Sequence, residues 1–378
     1  MDETFRYLGI EFSPRGICSF PLLGILKAYL KRIDSAPWSR HHKYLALKDY
    51  ALTKLQFGVS KGLVNIKELR QADSLIRDFV RKWSGIFKDT PLSFYYARTR
   101  DGGLGLVEYE RSARVWFNNR VEKLKRSHDP VIKEILRIYH KDFEKKIVSV
   151  RGVRLNTNER ITTHYRTDLL AKVDTAGLAN ARHGYNNLSF LKRNDVSLRD
   201  WEFCVALQTI SSSVTTPSKK HRYKQRPTNR CDHCSEVANL SHILQGCPKT
   251  QGLRIHRHDT IQDMLVGSLV KLGFDVNTQN YIPVLDTFIK PDIILQGPNK
   301  TIVIDPSIVS DKSNLIFDYR QKLNKYGNIN AISAIRENLG LSEDHEVVVI
   351  PFISSWRGIM FSTSVNELRR HCKIPQDS

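Results

Sequence analysis

The stretch that most constrains this chain is residues 289–305, "IKPDIILQGPNKTIVID". Two apolar runs flank Gly297-Pro298-Asn299, and each carries an aspartate where a strand favours a β-branched residue. A connection that tight folds the runs back as an antiparallel pair. Such a pairing sets the start of one strand beside the end of the next, so Asp292 and Asp305 become neighbours at one sheet end. Two adjacent carboxylates repel unless a cation lies between them or one takes a proton. Mg²⁺, a hard ion that prefers carboxylate oxygens and water, answers that repulsion and can activate a water against a phosphodiester.

The next helix offers an amine. In "NLIFDYRQKLNKYG", Leu315, Tyr319, Lys322 and Tyr326 follow one another at spacings of 4, 3 and 4, one stripe of a helix. With Leu315 and Tyr319 against the sheet, Lys322 emerges toward its carboxylate end, where it can orient the attacking water or hold phosphate charge. The competing reading is a surface pair with Asp318, four residues away. For the aspartates, it is two strand-end turn residues.

A second motif is "CDHCSEVANLSHILQGC", Cys231-x2-Cys234-x7-His242-x4-Cys247. Two thiolates on a tight turn can face one ion, and the later His and Cys close a tetrahedron. Three soft ligands and an imidazole select zinc, in a structural role because no position stays open. His233 and His256 are alternative nitrogen ligands, less well spaced. A loop this short is expected to fold only with its metal. The remaining cysteines, Cys18, Cys204 and Cys372, are scattered, so no disulfide framework is expected and a reducing, intracellular setting fits.

Fifty-nine Lys and Arg against thirty-nine Asp and Glu leave a net charge of +20, which favours a polyanionic partner. The charge concentrates just before the knuckle. Lys219, Lys220, Arg222, Lys224, Arg226 and Arg230 surround Tyr223 with no acid among them, a pattern for nucleic-acid backbone contacts as well as for a solvated linker. No run of eighteen apolar residues exists, so no membrane span is expected, and the first residues lack the apolar core of a signal peptide.

Residues 1–20 suggest a strand pair, with Gly16 in its turn. Segments 22–33, 39–57 and 66–84 read as helices, the third with a capping pair, Asn65 and Glu68. "DGGLGL" at 101–106 is a turn rather than a dinucleotide fingerprint, because no long apolar strand precedes it. An amphipathic stretch follows over about 108–127. Beyond 250, a helix to about 272 closed by Gly273, two strands, a helix over about 312–326 and a strand over 346–353 indicate a compact α/β domain.

"KPD", thirteen positions to Asp305 and seventeen more to Lys322, resembles the restriction-like endonuclease of site-specific non-LTR (type-1) retrotransposons, the kind that insert into insect ribosomal RNA genes. In that family the lysine of the PD-(D/E)xK pattern is moved to the following helix; here Ser307 stands at the usual strand position. The knuckle followed by "RIHRHD" (254–259) is similar to the family's order of motifs, and Arg257 and His258 fall on its basic-histidine pair. "FRYLGIEF" (5–12) is similar to the closing strand of a reverse-transcriptase palm, and the helices to about 84 with "DTPLSFYYARTRDGGLGL" (89–106) to its thumb.

The resemblance implies an α+β multidomain chain: 1–20 end of palm, 21–128 helical thumb, 129–230 basic helical linker, 231–250 zinc knuckle and 251–378 restriction-like endonuclease. It implies that Asp292 and Asp305 hold catalytic Mg²⁺, that Lys322 assists with Tyr326 steadying it, and that Cys231, Cys234, His242 and Cys247 hold structural Zn²⁺. The basic run with Arg257 and His258 would contact target DNA and element RNA, in the nucleus, with a second copy as a potential partner. No Tyr-x-Asp-Asp pair is present, so the chain is expected to be the nuclease-bearing part of a longer polyprotein and not to copy RNA by itself. The leading expectation is a DNA endonuclease that nicks its target to prime reverse transcription. A non-catalytic nucleic-acid-binding module on a nuclease-like scaffold is the alternative. A host transcription regulator that borrows the knuckle would leave the aspartates unexplained.

Overall fold

A computed structural model describes residues 4–7, 10–13, 16–17, 20–61, 63–138, 149–150, 153–185, 188–191, 198–278 and 280–374. The chain forms two compact units, Met1–Ala176 with Leu188–Ser213, and Gly177–Asn187 with Val214–Ser378.

The first unit opens with an antiparallel three-stranded sheet, β1 (Phe5–Tyr7), β2 (Ile10–Ser13) and β3 (Gly16–Ile17). Gly16 begins β3 opposite Ser13, so it is paired rather than in the turn; Leu8 and Gly9, also read as part of the strand pair, lie outside the described residues. Helices α1 (Leu22–Ser35), α2 (Arg40–Leu45), α3 (Leu52–Ser60), α4 (Ile66–Ser84), α5 (Leu92–Tyr96), α6 (Tyr109–Lys125) and α7 (Pro130–Ile138) follow. The short pair β4 (Ser149–Val150) and β5 (Val153–Arg154) leads to α8 (Asn158–Leu170) and α9 (Asp200–Ile210).

Helix α4 shows why these segments are helical. Its buried residues Leu69, Ala72, Ile76, Val80 and Trp83 recur every three or four positions. The Asn65 carboxamide oxygen accepts the Glu68 N–H at 2.9 Å to start the helix, and Gly85 at φ +67° ends it. Removing the Ile76 side chain would cost about 2–5 kcal/mol. In "DGGLGL", a Cβ on Gly103 would lie 2.4 Å from the Ala97 carbonyl oxygen. A turn is what that glycine serves.

The segment expected as a linker, 129–230, divides between the units. Helix α8 buries Ile161, Tyr165 and Leu169, with Tyr165 against Tyr96 at 5.2 Å between ring centroids. Helix α9 buries Phe203, Cys204, Leu207 and Ile210. Both carry enough apolar surface to join the first unit's core, whereas residues from Val214 onward belong to the second. Residues 139–148, 151–152, 186–187 and 192–197 of that segment lie outside the described residues.

The second unit is built on a four-stranded sheet in the order β11-β10-β9-β6. Strand β9 (Ile293–Gln296) runs antiparallel to both β6 (Val276–Thr278) and β10 (Lys300–Val309), while β11 (Glu346–Ser355) is parallel to β10. Helices α10 (Pro217–Arg222), α11 (Gln251–Lys271), α12 (Leu315–Gly327), α13 (Ile329–Asn338) and α14 (Ser362–Cys372) complete it, with a hairpin of β7 (Ile282–Val284) and β8 (Thr287–Ile289).

Strand alternation sorts the core into two layers. Ile293, Leu295, Ile302 and Ile304 pack with Leu269 of α11 and Leu368 of α14. Ile294 and Val303 face the other way and pack with Tyr326 of α12 and Ala331 and Ile335 of α13. Asp305 lies two residues beyond Val303, so the same alternation aims it at α12. Nothing in the described residues forms a helix long and apolar enough to cross a membrane.

Candidate nuclease site and metal centre

The last residue pair between β9 and β10 is Ile293↔Ile304. Asp292 and Asp305 sit one step beyond it, on each strand, at the same end of the sheet. Beyond Ile304, β10 has no β9 partner, so Pro306, which has no N–H to give, forfeits no ladder bond on that side.

Asp305 is almost wholly enclosed, its side chain 3% exposed, yet well partnered. Lys322 Nζ lies 2.7 Å from Asp305 Oδ2, and Ser307 Oγ donates to the same oxygen at 3.3 Å. The Tyr326 hydroxyl donates to Asp305 Oδ1 at 2.6 Å, lies 3.1 Å from the Lys290 carbonyl oxygen and accepts from Lys325 Nζ at 3.1 Å. Burial, then the Asp305 carboxylate, raise the Tyr326 pKa, so the phenol stays a donor. Along the 4-3-4 stripe, Leu315 and Tyr326 are buried, Tyr319 packs on Phe361 at 5.4 Å, and Lys322 reaches the carboxylate.

Asp292 meets a different cation. His258 Nε2, from α11, lies 3.4 Å from Asp292 Oδ2 and 3.2 Å from the Pro306 carbonyl oxygen. Its bond to Asp292, helped by Asp259, pushes the His258 pKa up to about 9 against the cost of burial. Gln262, one turn further along α11, donates to the Asp292 carbonyl oxygen at 3.2 Å. Each carboxylate therefore faces its own cation, from helices on opposite faces of the sheet. Oxygen donors of this kind suit a hard divalent ion.

The metal centre lies in the same unit. One ligand atom each from Cys231, Cys234, His242 and Cys247 fall within 4.8 Å of one another, and no other cluster of three or more potential ligands occurs among the described residues. Cys231 and Cys247 sulfurs are 3.7 Å apart, and Cys234 Sγ lies 3.2 Å from His242 Nε2. Zinc–sulfur bonds of about 2.3 Å in a tetrahedron put sulfurs about 3.8 Å apart, so the set can hold zinc. The His233 backbone N–H, then His242, draw the Cys231 thiol down to about 6, toward the thiolate a metal requires. The alternative nitrogens, His233 and His256, are not in the cluster.

Contacts from the knuckle reach the sheet unit directly. Arg257 Nη2 donates to the Leu244 carbonyl oxygen at 3.1 Å, Arg254 Nη1 to the Cys247 carbonyl oxygen at 3.2 Å, and Gln245 Nε2 to the Val309 carbonyl oxygen at 3.2 Å. Two residues expected on nucleic acid thus have protein partners here: Arg257 holds the knuckle, and His258 holds Asp292. Their one-residue offset on α11 points them to different neighbours, which spacing alone does not reveal.

The basic run is partly sequestered. Lys219 is 5% exposed, turned inward on α10, and so does not lie on the surface where a backbone contact was expected. Arg226 pairs with Asp232, an acid just past the acid-free stretch, and donates to the Arg230 carbonyl oxygen at 3.2 Å. Lys220, Arg222, Tyr223, Lys224 and Arg230 are exposed.

Comparison with curated proteins finds distant relatives along nearly the whole chain. The chain is 24% identical over 370 residues to the retrovirus-related Pol polyprotein from type-2 retrotransposable element R2DM of Drosophila melanogaster, covering 97% of this chain and 35% of that protein. Against an R2 type-1 Pol polyprotein of Popillia japonica it is 27% identical over 303 residues, covering 80% and 49%, and against one of Bradysia coprophila 25% over 382 residues, covering 98% and 43%. Over most of its length the chain is similar to R2 retrotransposon Pol polyproteins. It spans roughly a third to a half of the length of these three Pol relatives. No protein-family model matches it.

Proposed function

We propose that the second unit is a restriction-like, divalent-metal-dependent DNA endonuclease, and that the Pol polyprotein bearing it nicks target DNA to prime reverse transcription of element RNA in the nucleus. The observation that carries this reading is the Lys322–Asp305 contact of 2.7 Å at the sheet end that also bears Asp292. An acid pair and an amine at one edge match the demands of phosphodiester hydrolysis: metal ligands, and a cation for phosphate charge.

In this reading Asp292 and Asp305 hold Mg²⁺, which supplies water activation and charge neutralisation when bound. Lys322, 32% exposed, can leave Asp305 for a phosphate oxygen or the attacking water when a divalent ion takes over the carboxylate charge. Tyr326 fixes the other Asp305 oxygen, so the carboxylate keeps its orientation through that exchange. Protonated His258 offers a second positive group beside Asp292. The knuckle, zinc-bound, and the exposed part of the basic run would lie along DNA or RNA, mostly through salt-sensitive phosphate contacts. The first unit would be the end of the palm and the thumb of the reverse transcriptase.

The test is nicking of supercoiled DNA by the zinc-loaded chain in Mg²⁺. Wild type is expected to nick, and Asp305→Ala to lose at least about a hundredfold while binding DNA within twofold, the size of effect that follows loss of a metal ligand. Equal nicking by both, or none by either with binding intact, would favour the non-catalytic binding module.

A further inference from the structure

The β7–β8 hairpin enters the site by sequence and by contact. Its inner side chains, Ile282, Val284 and Ile289, are buried against Ala331 and Ile335. The outer face carries Tyr281 and Phe288, 61% and 59% exposed, with ring centroids 5.3 Å apart and planes tilted 41°. Lys290 Nζ lies 5.0 Å from the Tyr281 ring centroid. The Lys290 carbonyl oxygen is the group within 3.1 Å of Tyr326, whose hydroxyl touches Asp305. Phe288 is four residues before Asp292, so their Cα atoms are at most about 14 Å apart. That equals about four steps of duplex rise.

Folding gains little from this face. Two large rings stand in water, and the turn is strained. Leu285, first of the two turn residues, has φ +53° and is 82% exposed. Two-residue hairpin turns reserve that place for Gly, Asn or Asp, and a leucine there is disfavoured by its Cβ. Exposed rings beside an ammonium are what a base-stacking platform requires, and the unfavoured turn residue marks the hairpin as kept for something other than stability.

We propose that the hairpin holds an unpaired base of the DNA strand being cut, stacked on Tyr281 and Phe288 with the neighbouring phosphate against Lys290. This rests on the endonuclease reading and deepens it: the preferred substrate has unpaired nucleotides within a few steps of the scissile phosphate. Stacking on such a platform contributes about 1–3 kcal/mol per base, a factor of about 5–150 in affinity.

The test uses the whole chain, zinc-loaded and carrying Asp305→Ala, with DNA holding 2-aminopurine in a short single-stranded gap. Binding is expected to quench the fluorophore, as a ring stacked on it does. Tyr281→Ala with Phe288→Ala should abolish the quench and weaken gapped-DNA binding at least tenfold, with full-duplex binding within about threefold. The ring-keeping pair Tyr281→Phe and Phe288→Tyr should retain both properties. Unchanged quenching in the alanine double variant, an equal loss on gapped and fully paired DNA, or loss in the ring-keeping pair would overturn the proposal. Tighter binding to an RNA of the same sequence would overturn the assignment to the cut strand. Because the readout is binding by a chain disabled for metal, failure of wild type to nick would show separately as failure of the nuclease reading.

Discussion

At the scale of single residues, each of two carboxylates at one sheet end faces a cation of its own, Lys322 at Asp305 and His258 at Asp292. Asp305 is enclosed yet carries Lys322, Ser307 and Tyr326 on its two oxygens. Replacing Lys322 by methionine leaves that carboxylate short of its cation, and breaking a buried pair this way costs up to about 3–5 kcal/mol, less here because Lys322 is a third exposed. Lys322→Met should therefore lower the thermal midpoint without divalent ions, and millimolar Mg²⁺ should restore part of it; calorimetry with and without Mg²⁺ checks this. Tyr326→Phe removes one bond and keeps the ring, so nicking should fall about 10- to 100-fold, as for other groups that orient a metal ligand.

The elements show what holds each unit, and where sequence patterns run out. In the first unit the buried Asp73 carboxylate accepts the N–H groups of Tyr109 and Glu110 at 2.8 and 3.0 Å, fastening α4 to the start of α6. Burial, and then Glu108, push the Asp73 pKa up to about 8 despite those two bonds. A folded-state pKa raised above 3.8 means the folded chain holds the proton more tightly. The resulting stability is complete below pH 3.8 and is lost as pH climbs through about 8. The advantage of wild type over Asp73→Asn should thus shrink between pH 4 and 8, by more than about 1.4 kcal/mol, in urea unfolding at several pH values. In the second unit, chelation should release one zinc per chain and make the thiols of Cys231, Cys234 and Cys247 reactive while buried Cys372 stays protected, so a thiol titration should gain three groups on chelation. Strands β9 and β10 and the α12 stripe were readable because their periods are local and their Gly-Pro-Asn turn is explicit. The β7–β8 hairpin was not. Its turn is Leu285-Asp286, with no glycine or asparagine to announce it, and Pro283 interrupts β7.

For the molecule as a whole, charge and the resemblance to retrotransposon Pol polyproteins are legible early, while partners reached across the chain are not. His258 meets Asp292 and Pro306 through contacts spanning 34 and 48 positions, a coupling no spacing rule encodes. The interior of 129–230 likewise declares its two allegiances only through packing. A net charge of +20 predicts DNA binding that weakens steeply with salt. Lys220→Glu with Lys224→Glu, both exposed, should flatten the slope of log affinity against log salt by about 0.9 for each phosphate no longer neutralised, in fluorescence anisotropy, with the nicking rate at saturating DNA kept. The decisive measurement is a manganese titration followed by electron paramagnetic resonance, the paramagnetic ion standing in for magnesium on the zinc-loaded protein. One weakly held ion per wild-type chain, lost from both Asp292→Asn and Asp305→Asn, is the predicted result. Identical uptake by all three proteins would contradict the claim that these two acids share a divalent cation.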